Sequence, residues 1–374
     1  MKKLRIAAFG FRTLPPAKGA AGADKFAMEL FPRLVSRGHT VTAYNRRYPD
    51  VHQDITEYKG VRIKTFRTVK RKGFDTLLHS FKCTCHIIFR NTADAVHIQN
   101  GGNSIWALPL RLFGKKVFIS QDGVDWKRDK WPWYGKLYLR ISTYISAYFP
   151  TDIIFDNVIA RRYFEERFRK KFSFIPFGSE VAPVTPGEEV FNRFGLEKDG
   201  YYLFVGRFIP DKGLHYLIPA FKQSGSKRKL VMIGGSPNPS SYENELYAMA
   251  SDQVIFTGFL YGDDVTRLMN NCYCYIQPSD VEGLSPVILS VMGLGVPLIV
   301  SDIEENIYAV QDTAITFRKA DPGSLAEKIS YAELHHGHMK ELAAKARERA
   351  LKEFNWDTVA IQHELIFSGV KQER

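Results

Sequence analysis

Short apolar runs alternate with helical stretches along nearly the whole chain, and no other feature constrains the fold as much. Parallel strands need long crossovers, usually helices, so this alternation marks parallel α/β architecture. In the first half, LRIAAFG (4–10), HTVTAY (39–44), VRIKTF (61–66), AVHIQ (95–99), KVFIS (116–120), DIIF (152–155) and FSFIP (172–176) read as strands. Helical stretches lie between them, near 23–37, 74–90, 104–113, 135–149 and 157–169. Phe26, Leu30 and Leu34 make one apolar stripe on the first helix, and Pro32 should bend that helix or mark a one-turn defect. The stretch GSEVAPVTPGEEV (178–190), rich in Gly, Pro and acids, reads as a linker.

The alternation then resumes. YYLFVG (201–206), LVMIG (230–234), QVIF (253–256), CYCYIQ (272–277) and VPLIV (296–300) read as strands. Helices fit 213–223, 241–251, 263–270, 286–293 and 323–333, and 338–370 is helical with a break near Phe354-Asn355-Trp356. A length of 374 residues suits two Rossmann-sized domains, an N-terminal one over 1–180 and a C-terminal one over 181–353. No apolar run approaches the ~20 residues of a membrane-spanning helix, and the N-terminus reads as a first strand rather than a cleaved leader. The four cysteines fall in two Cys-x-Cys pairs, Cys83/Cys85 and Cys272/Cys274, which are poorly placed to bridge each other. They read as buried thiols, and a reducing cytoplasm is the expected compartment.

The net charge of +12 is unevenly distributed. Residues 1–180 hold 33 Lys and Arg against 15 Asp and Glu, a net +18, which leaves −6 for the remainder. One half therefore faces something anionic.

Chemistry concentrates at two strand ends in the second half. In VGRFIPDKGLHYLIPAF (205–221), Arg207 and Lys212 follow a buried strand and precede a helix starting near Gly213. Two cations beside a helix N-terminus, at the carboxyl end of a parallel strand, suit a diphosphate. Arg can clamp phosphate oxygens at two points while Lys acts as a point charge. In QPSDVEGLSPVILSVMGLGVPLIVSD (277–302), Ser285 fits the N-cap and Pro286 the first helical position. The free N–H groups around Val287 would point at an anion, and Glu282 can accept hydrogen bonds from sugar hydroxyls.

These two segments resemble the C-terminal domain of family 4 glycosyltransferases, retaining enzymes of the GT-B fold. The resemblance implies two Rossmann-like domains facing across a cleft, with the last helix, 354–374, crossing back onto the first domain. It implies that Arg207 and Lys212 hold the donor diphosphate and stabilise it as leaving group, that Glu282 holds the sugar, and that Leu284, Ser285, Val287 and the backbone around Gly258 complete the donor site. The family's Glu–seven residues–Glu motif departs here, since Ser290 stands at the second glutamate. Serine grips a vicinal diol less well than a carboxylate, which suggests a donor lacking the 2′-hydroxyl, such as dTDP-rhamnose, with a UDP- or GDP-hexose as the alternative.

The N-terminal half is similar to the bacterial rhamnosyltransferase-like members, through FGFRTLPPAKGAAGADKFAMELFPRLVSRGHTVTAY (9–44) and QDGVDWKRDKW (121–131). The loop 15–24 is long and small, and Gly19 and Gly22 allow close backbone approach to acceptor and donor respectively, with Asp24 in the first helical turn. It is not the Gly-x-Gly-x-x-Gly of a nicotinamide dehydrogenase. Asp122 is the expected catalytic-cleft acid and Asp125 a base or acceptor-hydroxyl ligand. His97 resembles a cleft histidine of the family, at the acceptor side. Asp263-Asp264 fits a helix first turn better than a metal pair, and neither metal nor cofactor is expected: the nucleotide sugar is a co-substrate.

Basic runs at 62–72, 111–116 and 161–171 interleave cations with aromatics. No nucleic-acid motif accompanies them. An anionic membrane surface fits better, at ~1 kcal/mol per cation near it. The resemblance implies as partners a nucleotide-sugar donor and a polyprenyl-diphosphate-linked glycan acceptor in cell-surface polysaccharide synthesis, and with the basic runs it points to the inner face of the cell membrane. Two other classes share the fold: a catalytically silent binding protein and a nucleotide-sugar epimerase.

Overall fold

A computed structural model of the chain describes residues 2–16, 22–47, 55–69, 73–121, 123, 126, 132–179, 186–236 and 240–370. It divides into two units: Met1–Phe177 with Trp356–Arg374, and Gly178–Asn355.

In the first unit the described strands are β1 (Arg5–Phe9), β2 (Thr40–Arg47), β3 (Glu57–Tyr58), β4 (Val61–Arg67), β5 (Ala95–Gln99), β6 (Lys116–Gln121), β7 (Asp152–Phe155) and β8 (Ser173–Phe174). They form one sheet in the order β3-β4-β2-β1-β5-β6-β7-β8. All pairs are parallel except the β3–β4 hairpin. The strands of the second unit are β9 (Tyr201–Gly206), β10 (Lys229–Gly234), β11 (Val254–Gly258), β12 (Cys274–Gln277), β13 (Leu298–Ser301) and β14 (Ile315–Phe317), in the order β11-β10-β9-β12-β13-β14. This sheet is wholly parallel. Its chain order is that of a Rossmann sheet, which reverses direction between β9 and β12.

Alternating strand faces build the cores. Val96 and Ile98 of β5 and Val117 and Ile119 of β6 bury on one face of the first sheet with Leu110 and Cys83. In the second unit Tyr202, Phe204, Met232 and Ile276 pack with Leu217 and Phe221 of the helix Leu214–Ser224. Burying each such aliphatic or phenyl side chain contributes roughly 1.5–3 kcal/mol.

The helix Gly22–Ser36 runs on through Pro32. The terminal helix Trp356–Ser368 packs in the first unit, with the Trp356 ring 5.9 Å from Phe26 and 5.0 Å from Phe177. Its Glu364 lies 3.0 Å from His39 Nε2 and accepts a 2.5 Å hydrogen bond from Arg37 Nε. Burial pushes the Glu364 carboxyl up, but these two partners outweigh it and hold it below its ordinary range.

Candidate functional site

In an open parallel sheet, ligands bind beyond the carboxyl ends of the strands where the order reverses. In the second unit that point lies between the segments after β9 and after β12. Both carry the charged residues singled out above.

The chain leaves β9 at Gly206, whose position is tight: a Cβ at Gly234, the end of β10, would collide with the Gly206 carbonyl oxygen. Arg207 is exposed, and its side chain makes no hydrogen bond or ion pair with another described residue. A single 3₁₀ turn, Pro210–Lys212, then leads to Gly213 at φ +67°. A Cβ on Gly213 would collide with the Pro278 carbonyl oxygen and the Tyr216 hydroxyl, so glycine is what lets this loop approach the one after β12. The Tyr216 hydroxyl meets that same carbonyl and lies 2.9 Å from Asp280 Oδ1. Burial, then Asp280, pushes the Tyr216 phenol well up, so it stays a donor. The Asp280 N–H closes the junction on the Asp211 carbonyl at 2.9 Å.

Lys212 Nζ pairs directly with Glu282 Oε1, and both side chains are largely buried. The same oxygen accepts from Gln277 Nε2 at 2.5 Å and Ser279 Oγ at 2.6 Å. Gln277 is itself held by Tyr275, whose hydroxyl donates to Oε1 at 2.7 Å. Three donors thus converge on one oxygen of Glu282, and Oε2 has no hydrogen bond to another described residue. A carboxylate with one oxygen fixed and the other open can receive a ligand hydroxyl without rearranging.

The next helix, Pro286–Leu294, starts as its sequence dictates. Ser285 is the N-cap and accepts from the Ile288 N–H at 3.4 Å, with Pro286 at the first position. The Val287 N–H precedes the first intrahelical bond and is available to an anion. Leu284 is buried beneath the loop. Ser290 is buried too, and its hydroxyl is spent on the Pro286 carbonyl at 2.9 Å. Gly258 ends β11 at φ +70°, with open space where a Cβ would lie.

Several residues here carried no motif. Gln277 and Ser279 orient Glu282, and Tyr216 and Gly213 clamp the two loops. After β10, both carboxylate oxygens of buried Glu243 accept from the Ser236 N–H, each at 3.2 Å. After β13, Glu305 lies in the first turn of the helix Glu304–Val310. Burial, then the charges of Glu304 and Glu282, pushes its carboxyl up. Their sequence signal was position, at or within about ten residues of the carboxyl end of a strand.

The other expectations fare differently. His97 is a core residue: Phe26, Phe31 and Phe367 surround it at 5.7–5.9 Å between ring centroids, and Nε2 lies 2.7 Å from Ser120 Oγ. Strand alternation turns it away from Val96 and Ile98 into the opposite layer, where an acceptor has no access. Gly22 is exposed at the first position of its helix. Gly19, Asp122 and Asp125 lie outside the described residues. Asp24 is buried and accepts from the Arg12 and Thr13 N–H groups at 2.7 and 3.3 Å, tying the segment after β1 to the helix. Asp263 and Asp264 lie in a helix first turn, each paired with Arg267, at 3.7 and 2.9 Å. Cys83, Cys272 and Cys274 are buried free thiols, pushed well up by burial, whereas Cys85, also expected to be buried, is only half-buried.

With this geometry in view, residues 187–351 match the family described as "Glycosyl transferases group 1". Residues 100–180 match a domain of unknown function, DUF1972. The chain is 25% identical over 192 residues to the capsular polysaccharide biosynthesis glycosyltransferase CapM of Staphylococcus aureus, covering 50% of each chain. It is 26% identical over 163 residues to the uncharacterised glycosyltransferase MJ1607 of Methanocaldococcus jannaschii, covering 42% of each. The chain thus spans about half the length of these curated relatives. The whole fold matches Anabaena HepE in complex with UDP-glucose, at TM-score 0.78 and 14% identity, over 98% of this chain and 100% of that one. The architecture is GT-B, α/β with two parallel-sheet domains. The matched region includes both β9 and β12 with the loops that follow them, hence the Lys212–Glu282 pair.

Proposed function

We propose that the protein is a glycosyltransferase that moves a sugar from a nucleotide diphosphate donor to a glycan acceptor. The observation that carries this reading is the Lys212–Glu282 pair at the reversal point of the second sheet. It sets a cation for a diphosphate beside a carboxylate with one free oxygen for a sugar hydroxyl. Arg207, exposed at the start of the same loop, supplies the second positive charge. The Val287 N–H and the backbone at Gly258 complete the anion and base contacts. As the bond to the anomeric carbon breaks, charge accumulates on the departing diphosphate, and fixed cations stabilise that charge more than the ground state. The cations take the place of a divalent metal, and no further cofactor is required.

The finer reading rests on resemblance. The transfer retains anomeric configuration, the acceptor is a polyprenyl-diphosphate-linked glycan of a cell-surface polysaccharide, and the strongly basic first half holds the enzyme to the anionic inner face of the membrane. Asp122 serves as the cleft acid and Asp125, with Gly19, contacts the acceptor. A dTDP-sugar, such as dTDP-rhamnose, is the favoured donor, because the Ser290 hydroxyl is already spent inside its helix.

Thermal shift with dTDP, UDP and GDP, followed by hydrolysis of the matching sugar donors, tests this. Stabilisation by dTDP and slow release of dTDP from its sugar are expected. Turnover of UDP-sugars without any of dTDP-sugars would reject the donor assignment, and binding without hydrolysis or transfer would reject the enzyme.

A further inference from the structure

The helix Trp133–Tyr148 is amphipathic the wrong way round for a soluble domain. Its buried side holds Leu139, Ser142, Ser146 and Ala147, three of them small and two polar. Its bulky apolar residues face outward: Trp133 is 77% exposed, Leu137 51%, Ile141 50% and Tyr148 61%, with Tyr144 exposed among them. At 100° per residue these five positions fall within an arc of about 80°. They make one continuous stripe along the helix, whereas exposed apolar residues usually occur singly.

The charges beside the stripe are predominantly positive. The helix itself carries Lys136 and Arg140 and no acid. Arg140 lies over the Trp126 ring at 4.7 Å. Its last turn abuts the end of the helix Val158–Phe168: the Phe168 ring lies 5.4 Å from Tyr144 and 5.7 Å from Tyr148, and Lys170 Nζ donates to the Ala147 carbonyl at 3.0 Å. Residues 161–171 hold six cations and two carboxylates. One of those carboxylates, Glu165, is occupied by Arg161 at 3.0 Å and Lys171 at 3.6 Å.

We propose that this face is an interfacial membrane-binding surface whose partner is an anionic bilayer. Aliphatic side chains with Trp and Tyr on one arc, bordered by cations, are what the boundary between headgroups and acyl chains accommodates. The excess of cations complements anionic lipid rather than a mixed-charge protein surface. The proposal names the surface for the membrane contact in the functional reading above and rests on that reading only for the partner's chemistry. Its test needs neither donor nor acceptor.

The full chain is sedimented with vesicles of phosphatidylcholine alone or with added phosphatidylglycerol. Wild type should partition at least about tenfold more onto the anionic vesicles. Leu137→Ser with Ile141→Ser should lose about that factor while melting at the wild-type temperature, and Arg167→Glu, which removes a guanidinium lying over the Tyr144 ring at 5.4 Å, should weaken binding and make it less salt-sensitive. Donor hydrolysis by the double variant should match wild type, so a failure of binding and a failure of transfer are read separately. Equal pelleting with both lipids, or unchanged binding by the double variant, would overturn the proposal. So would a wild-type dimer that the double variant converts to monomer, since the stripe would then belong to a second copy of the chain.

Discussion

Lys212 and Glu282 lie 70 positions apart and meet side chain to side chain where the strand order of the second sheet reverses. Because Gln277 and Ser279 bind the same carboxylate oxygen, the pair does not depend on the lysine alone. Lys212→Ala should therefore lower turnover about 10²–10³-fold, the scale for losing one stabiliser of developing charge. The melting temperature should fall by an amount equivalent to only about 1–3 kcal/mol, for a carboxylate missing one partner. Adding Glu282→Gln should recover stability and not turnover, and a double-mutant cycle on both readouts measures the coupling. Unchanged donor hydrolysis in Lys212→Ala would remove the site from the reaction.

Gly213 and Gly225 share nearly the same backbone, at φ +67° and +69°, in different surroundings. A methyl group on Gly225 meets open space, so Gly225→Ala pays only the left-handed penalty of roughly 1–2 kcal/mol. On Gly213 it strikes the Pro278 carbonyl and Tyr216, and the loops after β9 and β12 must separate. Gly213→Ala should cost clearly more in denaturant unfolding and also abolish nucleotide-induced thermal stabilisation. Equal costs for the two variants would contradict the clamp.

Acid should destabilise the first unit through its buried histidines. Burial lowers His97 to about 3 and His363 to about 4, from an ordinary 6.5, with the neighbouring His363 lowering His97 further. Both are neutral when folded, while the unfolded chain takes up their protons below pH 6.5. Stability is therefore complete above that value and declines as pH falls toward the folded values. By linkage the loss is about 2 kcal/mol per histidine at pH 5. Burial lowers His79 of the same unit to about 3 as well, so a plot of unfolding free energy against pH should steepen below 6.5, and His97→Gln should remove about a third of that extra slope.

Glu305 should show the opposite dependence. With its carboxyl raised by burial and by Glu304 and Glu282, the protonated form is favoured in the fold. Its stabilising contribution is present at low pH and lost as pH rises through the raised value. Glu305→Gln should thus gain stability over wild type at neutral pH, and the gain should vanish on acidification. A difference in melting temperature that is flat from pH 4 to 7 would argue against it.

Local patterning carried the secondary structure far. The strand YYLFVG was legible to the residue at 201–206, and the Ser285 cap with Pro286 after it followed from side-chain chemistry that needs no distant partner. What escaped was short. β3 and β14, of two and three residues, and the helices Glu189–Phe194 and Glu304–Val310 are too brief for periodicity to register, and neighbours hold them in place. His97 misled for a related reason: a histidine at a strand end can face the core or a ligand, and only the packing of Phe26, Phe31 and Phe367 decides which.

By itself, then, the sequence determined an alternating α/β chain with charge gathered in one half and cations placed just past a buried strand. Those are properties of residues close together along the backbone. Tertiary structure alone decided the strand order, and with it that the loop bearing Lys212 and the loop bearing Glu282 would be neighbours. It also turned the bulky side of the helix Trp133–Tyr148 outward. Pairing of strands and burial of faces depend on contacts between segments tens of residues apart, and no local propensity encodes them.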